Sequence, residues 1–447
     1  MSFKKTFSLG GIHPPENKIT ATKSIISAQL PDMVYISVNQ HIGTPAKIVV
    51  KKGDSVKVGT LLGQADGFVS ANIHSPVSGL IEKIEDTPSA SGYYQQTIHI
   101  KVQEDIWEDY IIKDSDLNRD IESHTKEDIV ARVKESGIVG LGGAAFPTHV
   151  KLFVPEGKSP KALLINAAEC EPYLTADHSL LLEKADEILV GIALLMKALA
   201  VQKAFIGIES NKKDAIKLIT PLCSKYSGIE VVPLKVKYPQ GGEKQLIRAI
   251  SGKEVPSGKL PLDIGYVVSN VSTAFAIYEA LQKNKPLIER VVTVTGKRLE
   301  APSNMKVRIG TRFSYLLEQV GGLPSSACKV IAGGPMMGRA VASVDAVVSK
   351  GTSGILILDE KETKRAKEQN CIRCASCVSV CPMGLEPYLL KYHGQHSMHE
   401  NAQQNYILDC IECGSCSYSC PANIPLLDYI KVEKNSVIQI NRSKNLK

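Results

Sequence analysis

The sequence predicts a multidomain α/β protein, and three observations carry that expectation. Short apolar runs punctuated by glycine fill residues 34–102, strand-like runs alternate with longer helical periods between 120 and 280, and eight of the eleven cysteines crowd between Cys371 and Cys420. A chain of 447 residues has room for about two to four domains. The expected division is a β module over residues 1–110, an α/β domain over 111–285, a small β-rich domain over 286–360 and a cysteine-rich domain of helices and loops over 361–447.

In the first module the expected strands are Val34–Val38, Ala46–Val50, Leu61–Gln64, Gly67–Asn72, Leu80–Ile84 and Gln96–Val102. The segments Lys52-Gly-Asp-Ser-Val-Lys-Val-Gly59 and His74-Ser-Pro-Val-Ser-Gly79 resemble the turns of the biotinyl/lipoyl barrel-sandwich fold. No lysine stands at the hairpin near Gly67-Phe68, which argues against a swinging-arm carrier. A helix over Thr125–Glu135 leads into the loop Gly137–Phe146. Next come a strand at Ala162–Ala167, a strongly periodic helix at Ser179–Ala200, a strand at Ala204–Ile208, a helix at Asp214–Ile219, a strand at Ile229–Leu234 and a helix near Thr273–Gln282. Beyond Pro286 the pattern returns to short strands, Val291–Thr295 and Val330–Ala332, with a helix Thr311–Val320 between them. The charged stretch Lys361–Glu368 reads as a solvated helix or linker.

Composition excludes several classes. Lys plus Arg is 53 against 46 for Asp plus Glu, a net charge of +7 that is too mild to argue for nucleic acid, and aromatic residues at 5% are too scarce for base-stacking platforms. The longest apolar stretch, Ile188–Ile206, is interrupted by Lys197 and Lys203, so no membrane-spanning segment is expected. The first residues carry no secretory pattern, and the clustering of cysteines favours metal sites in a reducing compartment over disulfides.

The cysteines form two C-x2-C-x2-C-x3-C-P runs, Cys371, Cys374, Cys377, Cys381 and Cys410, Cys413, Cys416, Cys420. The third repeat and the closing proline point to [4Fe-4S] cubanes rather than tetrahedral zinc. In two-cluster ferredoxins the fourth cysteine serves the other cluster. The expected sets are therefore Cys371, Cys374, Cys377 and Cys420 for one cluster, and Cys410, Cys413, Cys416 and Cys381 for the second. Small residues Ala375, Ser376, Gly414 and Ser415 leave backbone N–H groups free to approach cluster sulfurs, while His393, His396 and His399 read as surface or linker residues.

Gly140-Leu-Gly-Gly-Ala-Ala-Phe146 fails the dinucleotide fingerprint, because Ala145 holds the last glycine position and a helix precedes the loop. Its glycines serve either a close approach of backbone to a flat ring or phosphate, with Lys151 nearby, or tight packing. Asn166-Ala-Ala-Glu-Cys-Glu-Pro-Tyr173 with Asp177, Tyr238-Pro-Gln-Gly-Gly-Glu-Lys244 and Val267–Thr273 are further polar segments, and four such segments favour one shared pocket. Cys170 reads as an inert packed thiol.

Taken together, these motifs resemble the C subunits of Rnf electron-transport complexes over essentially the whole chain, beginning with Gly10-Gly-Ile-His-Pro-Pro-Glu-Asn-Lys18. The central region is similar to the flavin- and NADH-binding subunit of respiratory complex I. The resemblance implies that Gly140, Gly142, Gly143 and Lys151 form an FMN-binding motif and that Asn166, Asn270 and Thr273 contact FMN. It places Phe146 on the nicotinamide-dinucleotide side, and Glu169, Glu171 and Glu243 in acidic loops around flavin and nucleotide. Residues 290–330 look like a β-grasp, soluble-ligand-binding domain, which makes the expected fold a barrel-sandwich-like module, a flavin-binding α/β core, a β-grasp-like domain and a two-cluster ferredoxin-like domain. Two departures stand out. The complex I pattern Arg-Gly-Gly-Ala-Gly-Phe is here Leu141-Gly142-Gly143-Ala144-Ala145-Phe146, and two clusters replace one.

The resemblance further implies a ferredoxin:NAD+ oxidoreductase subunit with FMN, NAD(H) and two [4Fe-4S] clusters. It would sit peripherally on the cytoplasmic side of the cell membrane, partnered by the other subunits and indirectly by ferredoxin, with ion translocation coupled through those partners. The rival readings are a soluble flavin and iron–sulfur corrinoid reductase and a non-catalytic iron–sulfur scaffold.

Overall fold

Four apolar strands line up in parallel at the centre of the chain, in the spatial order Ile229–Leu234, Ala204–Glu209, Ala162–Ala167, Tyr266–Asn270. Helices cover both faces, which is why these strands read as near-continuous hydrophobic runs. One face packs Lys126–Glu135, Ala185–Leu199 and Val271–Gln282 around Leu163, Ile165, Ile206 and Ile208. The other is closed by Glu243–Ser251 through Leu246, Ile247 and Ile250 against Leu164, Val232 and Leu234. Two helices approach most closely at Gly191, where an added Cβ would lie 1.9 Å from the carbonyl oxygen of Ala274. The first strand in sequence, Ala162–Ala167, has the second on one side and the fourth on the other. Strand order therefore reverses there and opens a crevice beyond the C-terminal ends of Ala162–Ala167 and Tyr266–Asn270, the usual ligand position of such sheets.

The computed structural model describes residues 4–90, 92–114 and 116–445, so the outermost limits expected for the first and last domains lie outside the described residues. Thr125 caps Lys126–Glu135 by accepting from the N–H of Asp128, whose carboxylate returns the bond. The single helix expected at Ser179–Ala200 is two, Ala176–Glu183 and Ala185–Leu199, broken at Lys184 (φ −131°, ψ 34°). Helix Glu243–Ser251 begins within the polar segment Tyr238–Lys244, and strand Tyr266–Asn270 takes in most of the segment Val267–Thr273.

The N-terminal module consists of two antiparallel sheets. Met33–Ser37, Tyr94–Val102, Gly79–Pro88 and Ser55–Val56 form one, and Lys47–Ile48, Leu61–Gln64 and Ile73–His74 the other, closing on Ile36, Leu62, Ile73, Ile81 and Ile98. The expected strand Gly67–Asn72 is instead a loop. Its polar groups are satisfied otherwise: the Ala71 N–H donates to His41 Nε2 within the module (3.2 Å), and the Phe68 carbonyl meets His149 Nε2 (3.0 Å) on the α/β core.

A mixed sheet of six strands, Ile25–Ser27, Ser303–Arg308, Glu289–Thr295, Gly354–Asp359, Ala327–Ala332 and Arg339–Ala340, builds the third unit around Val292, Met305, Phe313 and Leu316. Its edge strand Ile25–Ser27 comes from the N-terminus and runs parallel to Ser303–Arg308, so residues before 28 lie outside the two sheets of the first module. In the C-terminal unit Pro387–Gln395, His399–Gln404 and Leu426–Asn445 pack on Leu390, Ala402, Ile407 and Ile430. His393 is buried there against Asn405, and His399 pairs with Glu433 at 2.8 Å, which corrects the surface reading: both anchor the helices.

Lys350 ties three units together. It is wholly buried, donates to the carbonyls of Asn72 (2.6 Å) and Gly137 (2.7 Å), and takes the side-chain carbonyl of Gln40 on its own N–H. Burial lowers its ammonium from 10.5 to about 7. Between those values the unfolded chain holds a proton that the folded chain lacks, so this group makes stability rise with pH through that window. Lys350→Met is expected to flatten that rise in urea unfolding compared at pH 7 and pH 9.

Candidate functional site

The loop Gly137–Phe146 stands at the mouth of the crevice with Gly142, Gly143 and Ala144 exposed. It is pinned from the fourth strand and its following helix, where the Leu141 N–H donates to Thr273 Oγ1 (2.9 Å). It is also held by the buried Arg290, whose Nη2 donates to the Leu141 carbonyl (3.2 Å). A Cβ on Gly142 would sit 3.3 Å from that of Asn270, and Gly143 has φ +122° with open space where a side chain would be. Backbone alone therefore faces the crevice at these positions. Lys151, on the short helix Thr148–Leu152, reaches the Val268 carbonyl and the Glu243 carboxylate, both at 3.1 Å.

Asn166 ends the first strand and donates to the Gly241 carbonyl (2.8 Å). Asn270 caps Val271–Gln282 by accepting from the Ser272 N–H (2.8 Å) and donates to Asp177 (2.6 Å). Thus Gly140, Gly142, Gly143, Lys151, Asn166, Glu243, Asn270 and Thr273 converge from four segments, with half-buried Phe146 closing the glycine loop through its carbonyl to the Gly140 N–H (2.8 Å).

Glu169 and Glu171 do different work. Glu169, at φ 46°, accepts from the N–H groups of Asp177 (2.8 Å) and His178 (3.2 Å), capping Ala176–Glu183. Glu171 accepts from the Met336 (3.1 Å) and Met337 (2.8 Å) N–H groups, joining the core to the third unit, and burial pushes its carboxyl up to about 7. Burial, then the Glu169 charge, raises Asp177 to about 6, while Ser272 and Asn270 donate to it. Sequence reading misses Arg290 and Lys212, whose buried ammonium holds the Ala168 carbonyl at 2.7 Å. A solitary basic residue in a sequence carries no sign that it will be buried under a loop.

The second constellation is a cavity walled by Cys381, Cys410, Cys413 and Cys416, together with Met383, Leu385 and Leu390. Among the described residues no three His, Cys, Asp or Glu side chains are placed to hold a single metal ion, whereas these four thiols ring a space. A soft four-thiol ring around a space suits a cubane. Burial pushes Cys410 and Cys416 up to about 11 and about 12, so binding a cluster there must displace protons. Around the first run Cys371 and Cys374 are exposed, and Cys377 lies within electrostatic reach of Cys420.

Both runs share a backbone signature. Positive φ falls at Arg373 (57°), Ala375 (56°) and Gly384 (67°), and at the corresponding Glu412 (57°), Gly414 (79°) and Asn423 (55°). Non-glycine residues hold this region at a cost of about 1–3 kcal/mol each, a strain typical of loops that wrap a ligand with their N–H groups. The thiol-ringed cavity abuts the crevice. Tyr238 Oη donates to the Cys413 carbonyl (2.9 Å) and Gln245 Nε2 to that of Pro382 (3.3 Å). Gly241, which holds Asn166, also donates its N–H to Cys170 Sγ (3.3 Å). Burial drives that thiol to about 12, in keeping with an inert packed group.

A switch-point crevice fused to cysteine-lined loops defines a class, the electron-transfer proteins that join a flavin-binding core to an iron–sulfur module. Residues 133–279 match the Nuo51 FMN-binding domain, 5–105 the RnfC barrel sandwich hybrid domain, 291–340 the SLBB domain and 363–421 the 4Fe-4S dicluster domain. The chain is 44% identical over 429 residues to the C subunit of the proton-translocating ferredoxin:NAD(+) oxidoreductase complex from Clostridium ljungdahlii, covering 95% of this chain and 93% of that one. It is also 44% identical to the Na(+)-translocating counterpart of Acetobacterium woodii, with full coverage of both. Among solved structures, an NAD+-reducing [NiFe]-hydrogenase in the air-oxidized state superposes with a TM-score of 0.53 at 17% identity, over 72% of this chain and 68% of that one, a likeness of fold. The chain belongs to the family of C subunits of Rnf-type ion-translocating ferredoxin:NAD(+) oxidoreductase complexes. The expected architecture of barrel sandwich, flavin-type α/β core, β-grasp-like unit and ferredoxin-like unit is borne out.

Proposed function

We propose that this chain is a peripheral subunit that passes electrons between NAD(H), FMN and two [4Fe-4S] clusters, while partner subunits couple that flow to ion movement. The observation that carries the reading is the convergence of four segments on a switch-point crevice whose floor adjoins a cavity ringed by four thiols. The bare backbone at Gly140, Gly142 and Gly143 fits a flat ring or phosphate, and Lys151 offers it a cation. Asn166, Asn270 and Thr273 offer polar contacts around it. Phe146 and Glu243 would border the nucleotide, and Glu169 and Glu171 anchor the loop that carries them.

When bound, FMN supplies the conversion between the paired electrons of a hydride and the single electrons that iron–sulfur clusters carry. The chain's own task is to hold and orient; no side chain is required as a nucleophile or general base. Cys371, Cys374, Cys377 and Cys420 would hold one cluster, and Cys381, Cys410, Cys413 and Cys416 the other. The matched segments support domain limits near residues 110, 285 and 360. In this reading the chain attaches through its partners on the cytoplasmic side; no helix of the described residues is long and apolar enough to cross a membrane.

The test is an anaerobic optical titration with NADH after FMN and iron have been quantified. Bleaching of a bound flavin followed by loss of the broad iron–sulfur absorbance is expected. Protein that dithionite reduces and NADH does not would overturn direct exchange with NAD(H).

A further inference from the structure

The N-terminal segment 10–18 runs as a strap across the crevice loop, the 238–244 loop and the cysteine-rich unit. At one end the Gly11 N–H donates to the Val380 carbonyl (2.8 Å), and a Cβ on Gly10, at φ +61°, would lie 2.4 Å from the carbonyl oxygen of Cys381. In the middle Ile12 exchanges both backbone bonds with Tyr238 (2.8 and 2.9 Å), the residue whose hydroxyl holds the Cys413 carbonyl. Two consecutive prolines, Pro14 and Pro15, then stiffen the span by fixing φ. At the far end the Glu16 carbonyl accepts from the Tyr173 N–H (2.8 Å). Lys18 sends its ammonium onto three carbonyls of one loop, those of Glu169 (2.7 Å), Glu171 (2.8 Å) and Leu174 (2.6 Å).

Three bonds use every N–H of an ammonium, with no carboxylate among the partners. Burial and the neighbouring Lys212 charge lower Lys18 to about 8, a cost to the ammonium that its three carbonyl bonds offset. The three carbonyls belong to the loop that follows Asn166, and at its other end the strap bonds the carbonyl of Val380, next to Cys381, and Tyr238, the holder of Cys413. One short segment thus bonds the loop after Asn166 and, at the buried cavity, the neighbour of Cys381 and the holder of Cys413.

We propose that Lys18 is a positioning residue for electron transfer, acting through the strap to fix the spacing between the flavin crevice and the cavity of Cys381 and Cys413. This rests on the functional reading above. It gives the segment the role of a second tie across that spacing, beside the direct bonds of Tyr238 and Gln245 to the cysteine-rich unit. Gly10 is the strap's fulcrum at the thiol side, and only a residue without a Cβ fits there.

The experiment uses the full chain reconstituted with FMN and iron, comparing wild type with Lys18→Met and Gly10→Ala. In stopped flow with NADH, Lys18→Met is expected to keep FMN and iron occupancy, while the iron–sulfur phase slows severalfold more than the flavin phase, since electron tunnelling weakens exponentially as the two sites separate. Gly10→Ala is expected to alter the electron paramagnetic resonance of one reduced cluster without changing FMN affinity. Equal slowing of both phases, or an iron–sulfur phase within about twofold of wild type, would overturn the proposal. Hydrogen–deuterium exchange separates this from the functional reading. In Lys18→Met, residues 168–175 are expected to lose protection while Ala185–Leu199 keeps its own, and unchanged exchange at 168–175 would sink the strap role. Failure of wild type to bleach with NADH counts against the functional reading, and the exchange result then decides the strap.

Discussion

Replacing Cys381 with alanine is expected to remove the same cluster that replacing Cys410 removes, although Cys381 belongs to the other cysteine run. Sequence proximity would pair it with Cys377, four positions earlier; the fold instead sets it on the wall shared by Cys410, Cys413 and Cys416. Iron should fall from about eight to about four atoms per chain in Cys381→Ala, in Cys410→Ala and in the double variant alike. The surviving cluster should give one electron paramagnetic resonance signal, the same in all three. Cys420→Ala should spare the buried cluster and remove the other. The loss at Cys381 is large because a cubane needs its fourth thiolate, and the neighbouring donor, the Leu385 N–H at 3.4 Å from Cys381 Sγ, cannot replace it. A double variant that loses all iron would show that Cys381 serves its own run, and the crossed assignment would fall.

The parts legible in the sequence are those whose partners are local or whose environment is uniform. Ala162–Ala167 and Ile229–Leu234 can be read to the residue because a parallel strand covered on both faces has an unbroken apolar run. The cysteine runs are readable because spacing within each is short, and their proposed crossing follows from the ferredoxin rule. Glu243–Ser251 is hidden because its opening Glu-Lys-Gln looks like loop, and its apolar stripe acquires meaning only against Val232 and Leu234. The break at Lys184 is hidden because apolar periodicity continues through it. Hardest to foresee are the cations held by distant partners. Lys18 is satisfied by carbonyls more than 150 residues away, Lys350 by Asn72 and Gly137, and Arg290 by Leu141, and no local pattern marks such partnerships. Glu169 and Glu171 illustrate the same limit, since their acidity is legible while the N–H groups that occupy them are not.

Gly142→Val is expected to weaken FMN binding about 10- to 100-fold while leaving the fold and iron content unchanged. The glycine is exposed, so a larger side chain does not disturb a core. Its Cβ would nevertheless stand 3.3 Å from Asn270 Cβ and 3.5 Å from Asn270 Nδ2, and the branches of valine would reach further. Asn270 cannot swing away cheaply. Its side-chain oxygen caps Val271–Gln282 at 2.8 Å, and its amide donates to the half-buried Asp177 at 2.6 Å. The glycine loop is equally fixed, through Leu141, by Thr273 and Arg290. With both walls held, the added methyl groups must occupy the crevice itself, and overpacking of this kind costs about 1–3 kcal/mol, or roughly 10- to 100-fold in affinity. Lys151→Met should lower affinity by a similar factor for a different reason, since it removes a cation whose charge-assisted bonds are worth about 1.5–3 kcal/mol. Titrations following quenching of FMN fluorescence would measure both, with thermal unfolding and iron analysis as controls for the fold. Wild-type affinity in Gly142→Val would place the flavin elsewhere, whereas loss in both variants with iron intact would fix it between the glycine loop and Asn270, beyond the C-terminal ends of the strands.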